Sequence, residues 1–137
     1  MCSKSETLRS GKFYCNLKNL ELKKKIAEVY GFPDYKILEN FFTAIIRIRN
    51  ICSHNGVLYD FNQPVNIGKI PHKRYGVKTR NNNNLNASMK LILFILSKIS
   101  VNRAEEMEQK LIKLFADLDC CEEVQRVIEQ KINFDIS

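Results

Sequence analysis

Phe41-Phe42-Thr43-Ala44-Ile45-Ile46-Arg47-Ile48-Arg49-Asn50-Ile51-Cys52-Ser53-His54-Asn55-Gly56 is apolar at helical spacing, then gathers two arginines, an asparagine, a serine and a histidine just before a glycine. The apolar half predicts an amphipathic helix. The polar half concentrates, as no other stretch does, side chains able to do chemistry. A helix advances about 100° per residue, so Leu38, Phe41, Phe42, Ile45, Ile48 and Cys52 share one broad apolar face. Glu39, Thr43, Arg47, Asn50 and His54 form a polar stripe opposite, with Asn50 and His54 four residues apart, where side chains meet. Arg49 belongs to neither group and projects near Phe42, Ile45 and Cys52 on the apolar face. A guanidinium buried there requires a carboxylate, carbonyls, a bound phosphate or an exit to a cleft or subunit boundary. Arg49 and His54 diverge by about 140° on a regular helix, so either the helix distorts near Gly56 or a second chain completes the site.

On the N-terminal side of this helix, Asp34 offers a carboxylate to cap it. A preceding helix runs from Asn16 through Leu17, Leu20, Leu22, Ile26, Ala27 and Val29 and stops at Gly31-Phe32-Pro33. Residues 1–12 read as a flexible N-terminus, frayed or only briefly helical. Beyond Gly56, which ends or bends the opening helix, residues 57–84 hold three glycine or proline clusters and a four-asparagine run, Asn81 to Asn84, and predict one long loop. Leu85, Met89, Ile92, Leu96 and Ile99 restore the helical period, and Leu91, Phe94 and Ile95 broaden it almost all round, as in the most buried helix of a bundle. Asn102-x-x-Glu105 and Asp119-x-x-Glu122 resemble capping boxes. They open a helix carrying Met107, Leu111, Leu114, Phe115 and Leu118 on one face and a short last helix carrying Val124, Val127 and Ile128. With no convincing strand, the expectation is an all-α bundle of four to five helices, a single domain over 13–137 with the 57–84 loop inside it.

The 137 residues are 45% hydrophobic, which suits one domain with a real core and excludes a chain disordered throughout. No apolar run approaches the roughly 18 to 20 residues needed to span a bilayer, because Leu91 to Leu96 is flanked by Lys90 and Lys98. Met1 to Glu6 lacks the apolar centre of a signal peptide, so a cytoplasmic, membrane-free protein is expected. Five cysteines form no Cys-x-x-Cys pair, and the two histidines give no zinc spacing beside them, so reduced thiols and no metal or other cofactor are expected. Cys52 reads as a small buried hydrophobe, since two residues along a helix its side chain diverges from His54 by about 200°.

Charge is uneven. Between Phe61 and Ala104 there is no acidic residue, whereas Lys69, Lys73, Arg74, Lys78, Arg80, Lys90, Lys98 and Arg103 supply eight of the 22 basic side chains. The remaining 14 basic and 15 acidic residues nearly balance. Such an excess suits a polyanion, above all nucleic acid, and equally a solvated loop kept soluble by its charge.

Arg, Asn and His together can cleave a phosphodiester without a metal. Histidine takes the 2′-hydroxyl proton of RNA or protonates the leaving 5′-oxygen, arginine stabilises the phosphorane, and Asn50 orients the ring or holds a phosphate oxygen. The other reading of the same residues is structural, with His54 a cation at the negative end of the helix dipole.

Arg49-Asn50-Ile51-Cys52-Ser53-His54 resembles the Arg-x4-His motif of HEPN domains, helical bundles many of which are metal-independent ribonucleases. Its wider setting, Phe13-Tyr14-x-Asn16-Leu17-Lys18, Leu22-Lys23-Lys24-Lys25-Ile26-Ala27, Tyr30-Gly31 and Leu38-Glu39, is similar to the C-terminal half of Abi-like (AbiD/AbiF-type, abortive infection) phage-resistance proteins over roughly Lys12 to Tyr59. That resemblance implies a HEPN-like fold and a metal-independent endoribonuclease with Arg49 and His54 as catalytic pair and Asn50 beside them. It also implies a homodimer joining two motifs in one cleft, and an antitoxin or regulatory RNA as a further partner. RNA contacts are expected, from charge alone, at Arg47, Lys69, Lys73, Arg74, Lys78 and Arg80. The alternatives are a non-catalytic RNA-binding module and a helical interaction domain.

Overall fold

The computed structural model describes residues 3–77, 82–117 and 121–132, with the backbone alone at 3–8 and 10. Six α-helices occur among them: α1 Ser3–Asn16, α2 Leu20–Val29, α3 Tyr35–Ser53, α4 Leu85–Ile99, α5 Val101–Asp117 and α6 Glu122–Val127. A π-helical turn, Ile128–Ile132, follows α6. No strand forms among the described residues; an isolated antiparallel bridge joins Asn62 to Asn84. The protein is therefore all-α, and the chain divides into two compact units, Met1–Asn55 and Gly56–Ser137.

In the first unit α1 and α2 both pack on α3. α1 occupies most of the stretch expected to be flexible, and Gly11 explains how it fits: a Cβ there would lie 3.1 Å from Cδ1 of Ile46 and 3.7 Å from Cβ of Phe42. α2 begins later than its apolar pattern suggests, because the Asn19 side chain accepts the N–H groups of Glu21 and Leu22 at 3.1 and 3.2 Å and so caps it. It ends as expected at Gly31. Gly31 adopts φ 80°, its N–H donates to Glu28 O, and the Phe32 N–H donates to Ala27 O, both at 2.9 Å. Phe32 then meets Phe41 edge to face at 5.2 Å between centroids. Asp34 caps α3 by accepting the Lys36 N–H at 2.9 Å. Leu38, Phe41, Phe42, Ala44 and Ile48 are the buried residues of α3.

One charged residue lies inside this core. Lys23 is 6% exposed, and its ammonium donates to Cys15 O at 3.1 Å and pairs with the Glu39 carboxylate. It also lies 5.8 Å from the Tyr14 ring centroid and 5.9 Å from that of Tyr35. The Tyr14 hydroxyl donates to Lys23 O at 3.0 Å, and burial followed by the charge of Glu39 pushes the Tyr14 pKa up to about 12. Tyr14 thus stays a neutral donor, with its ring edge-on to Phe42 at 5.5 Å.

In the second unit most of α4 is buried, including Leu91, Leu93 and Phe94 with no exposed surface. Asn84, last of the asparagine run, caps α4 by accepting the Ala87 N–H at 2.9 Å. Asn82 and Asn83 accept the backbone N–H groups of Ile67 and Gln63, and Ile67, Ile70 and Tyr75 are buried, so the described part of the long loop is pinned. Asn81 lies outside the described residues. α4 passes to α5 through Ser100 alone, whose N–H donates to Leu96 O at 2.7 Å and whose carbonyl accepts the Ala104 N–H at 3.1 Å. The expected Asn102-x-x-Glu105 box does not form, because this extended Ser100 has already started the helix and Asn102 sits within it. Leu114 is exposed, whereas Met107, Leu111 and Phe115 are half-buried. Leu118 and Asp119 lie outside the described residues, and α6 starts after Cys121 with no side-chain cap. No helix among the described residues is long and apolar enough to cross a membrane.

Replacing Lys23 by Ala leaves the Glu39 carboxylate half-buried without its cation and is expected to lower stability by about 2 to 4 kcal/mol in urea unfolding. Joining Lys23→Met to Glu39→Leu should restore most of that loss; a Lys23→Ala effect below about 1 kcal/mol would mean that the pair stays hydrated.

Candidate functional site

The polar cluster lies on the last turn of α3, where the helix leaves its apolar surroundings. Burial ends at Ile48; Arg49, Asn50, Cys52, Ser53 and His54 are exposed, and Ile51 is half-buried. This selects the exposed exit among the routes open to Arg49 and corrects the expectation of a buried Cys52. Arg49 continues the angular face of Phe42 and Ile45, but that face is no longer covered at its turn, so the guanidinium remains hydrated and needs no buried partner. Cys52 is an exposed free thiol for the same reason.

Arg49 Nη1 donates to Asn50 Oδ1 at 3.4 Å, a long contact that aligns the two side chains while leaving the guanidinium largely free to take an anion. The Asn50 carbonyl accepts the His54 N–H at 3.1 Å and the Ser53 hydroxyl at 3.0 Å. His54 is the C-cap, with φ −101° and ψ 19°, and because its N–H still reaches back four residues its Cα continues the helical spiral. The separation of about 140° between Arg49 and His54 therefore persists. Among the described residues no hydrogen bond joins their side chains.

The left-handed residue after α3 is Asn55 rather than Gly56. Asn55 takes φ 55°, the left-handed conformation, which asparagine tolerates better than most residues with a side chain. His54 is thus held between a regular turn and a left-handed residue, at the negative end of the helix dipole.

The expected RNA contacts divide. Arg47, Lys69 and Lys73 are exposed. Arg74 is 55% exposed at its side chain, yet its guanidinium pairs with the buried Glu108 carboxylate, so part of its charge is already answered. Lys78 and Arg80 lie outside the described residues. Among the described residues no group of three His, Cys, Asp or Glu side chains is placed to hold a metal ion.

Residues 7–60 match the family model of Abi-like proteins. The matched span runs from α1 through α3 and carries Arg49, Asn50 and His54, and it covers 54 of the 137 residues. No curated protein and no solved structure matches the chain.

Two groupings escaped sequence reading. Lys23 sits on the α2 stripe between Leu20 and Ala27, at steps of three and four, and this charge on an apolar stripe was the available signal. The second is the set of side chains around Glu108, assembled from positions more than 30 residues apart, for which no local pattern exists.

At Asn55 the backbone strain gives a direct test. Asn55→Gly is expected to raise stability by about 0.5 to 1 kcal/mol, and Asn55→Val to lower it by more than about 1 kcal/mol, in paired thermal melts. Equal melting points for the two variants would place φ at that position in the ordinary region.

Proposed function

We propose that this chain is a metal-independent endoribonuclease of the Abi-like type, acting in bacterial phage defence, with Arg49, Asn50 and His54 as its reacting groups. The observation that carries the reading is the exposed clustering of these three residues on one helix end within the Abi-like span. Among the described residues the Arg49 guanidinium and the His54 imidazole make no ion pair and stand exposed beside the Asn50 amide, an arrangement open to an RNA phosphate.

The step is attack of the ribose 2′-oxygen on the adjacent phosphorus. One histidine accepts the 2′-hydroxyl proton, the P–O5′ bond breaks, and a second acid gives the departing oxygen its proton. The products are a 2′,3′-cyclic phosphate and a 5′-hydroxyl, so no water or cofactor enters the step. Arg49 stabilises the charge that builds on the phosphorane oxygens, and Asn50 holds either the guanidinium or a phosphate oxygen.

A single chain offers one His54, facing about 140° away from Arg49. Two chains related by a twofold axis can set Arg49 of each against His54 of the other, giving two equivalent composite sites. The cleft is therefore proposed to lie between two copies. Arg47, Lys69 and Lys73 add sequence-independent attraction for the RNA backbone.

Purified protein incubated with tRNA or total cellular RNA in EDTA should cut it and leave cyclic phosphate ends. Arg49→Ala and His54→Ala should each lower the rate at least about a hundredfold. Cleavage untouched by both substitutions would overturn the assignment.

A further inference from the structure

The second unit carries a pocket of about 540 Å³ between the end of α4, one face of α5 and the loop segment at residues 72–75. Its construction is unlike that of a solvated charged loop. Glu108 on α5 is buried, and both carboxylate oxygens are engaged: Oε1 by the Arg74 guanidinium and Oε2 by the Tyr75 hydroxyl at 3.2 Å. This anion cancels one cation and fixes two loop side chains against α5. Burial and the charge of Glu108 raise the pKa of Tyr75, so its hydroxyl remains a donor.

The bracket positions a ring. His72 stacks on Tyr75 with 4.8 Å between centroids and 25° between planes, and is still exposed to solvent. Its Nδ1 accepts the Arg74 N–H at 3.2 Å, which places the proton of the neutral ring on Nε2, free to donate. Val101, 59% exposed, and the buried Ala104 give the same pocket an apolar wall on α5. An imidazole and an apolar wall suit a flat heteroaromatic ring.

Polar groups along the end of α4 and the first turns of α5 separate a cationic end from one that carries a carboxylate and an amide. Lys98, beside Val101 at the α4 to α5 corner, is an exposed ammonium 5.4 Å from the Phe94 ring centroid. Glu105 and Gln109 lie one and two turns further along, within about 12 Å of helix. Lys98 and His72 line the same pocket and each carries a donor for a phosphate, whereas a carboxylate such as Glu105 repels phosphate and accepts hydrogen bonds from an exocyclic amine.

We propose that this pocket is a nucleotide subsite, taking one base and its phosphate from single-stranded RNA, with His72 and Val101 flanking the base and Lys98 holding the phosphate. The inference rests on the RNA reading for its polymer and on the pocket alone for its nucleotide. Stacking and phosphate contacts of this kind need no base-specific code, while Glu105 and Gln109 favour bases bearing an amine.

The test is amide chemical-shift titration of the full chain carrying Arg49→Ala, using AMP, UMP and inorganic phosphate as separate probes. Shifts at Ser97, Lys98 and Glu105 with AMP, about tenfold weaker response to phosphate, and about tenfold weaker AMP binding in His72→Ala and in Lys98→Ala are expected. Equal response to AMP and phosphate would reduce the pocket to a general anion surface and overturn the proposal. So would shifts confined to other residues, or AMP binding unchanged in both variants. Failure of RNA cleavage in the unsubstituted protein, with these AMP shifts intact, would sink the ribonuclease reading and leave the subsite standing.

Discussion

The buried ammonium of Lys23 is the constraint on which the first unit depends. It belongs to α2, hydrogen-bonds the end of α1 through Cys15 O, and pairs with Glu39 on α3, so one charge ties three helices. Removing either partner leaves an uncompensated ion at low dielectric, which costs more than the pair contributes. Such a contact specifies orientation: the helices cannot slide by a turn without stranding a charge. Tyr14 extends the same device, donating to the Lys23 carbonyl and resting against Phe42. The direction of α3, and therefore where its last turn emerges, follows from this arrangement and from the close approach of α1 at Gly11.

The two ends of α3 do different work. At its start the Asp34 cap, and the edge-to-face contact of Phe41 with Phe32, anchor it; at its end the apolar residues run out and the polar ones are exposed. A polar cluster on a helix terminus combines rigid support from the buried turns with free access at the tip. In the second unit Glu108 plays a comparable part to that of Lys23, as a buried charge whose partners are drawn from a loop and thereby held in place. Each unit thus uses a buried ion, Lys23 in the first and Glu108 in the second, to order the side chains that surround it.

What could be read from the chain depended on whether the decisive contact was local. The Gly31 terminator, the Asp34 cap and the heavily buried α4 all follow from neighbouring residues, and all form. The all-α class followed in the same way from periodicity. The length of α1 was hidden because Gly11 looks like a breaker until Ile46 is seen against it. Ser100 was hidden because its extended backbone starts α5 without a side-chain signature, leaving Asn102 as the more obvious cap. For the candidate site, the helical period put Arg49 and Asn50 on the last turn of α3 and His54 at its end, where the structure has them. Burial at a helix end is a tertiary property, and that is why Cys52 was expected inside and is found outside, while Arg49, for which an exit from the apolar face was one of the open routes, is exposed. Arg74 shows the same limit in reverse, since its partner lies 34 residues away.

The central claim is that Arg49 of one chain works with His54 of another. Mixing Arg49→Ala and His54→Ala chains under exchange conditions measures it directly. A shared twofold cleft predicts that two chains, each inactive alone, regain roughly a quarter of the original RNA cleavage, because about half the dimers are mixed and each has one intact site. A mixture as inactive as its components would contradict a site built from two copies.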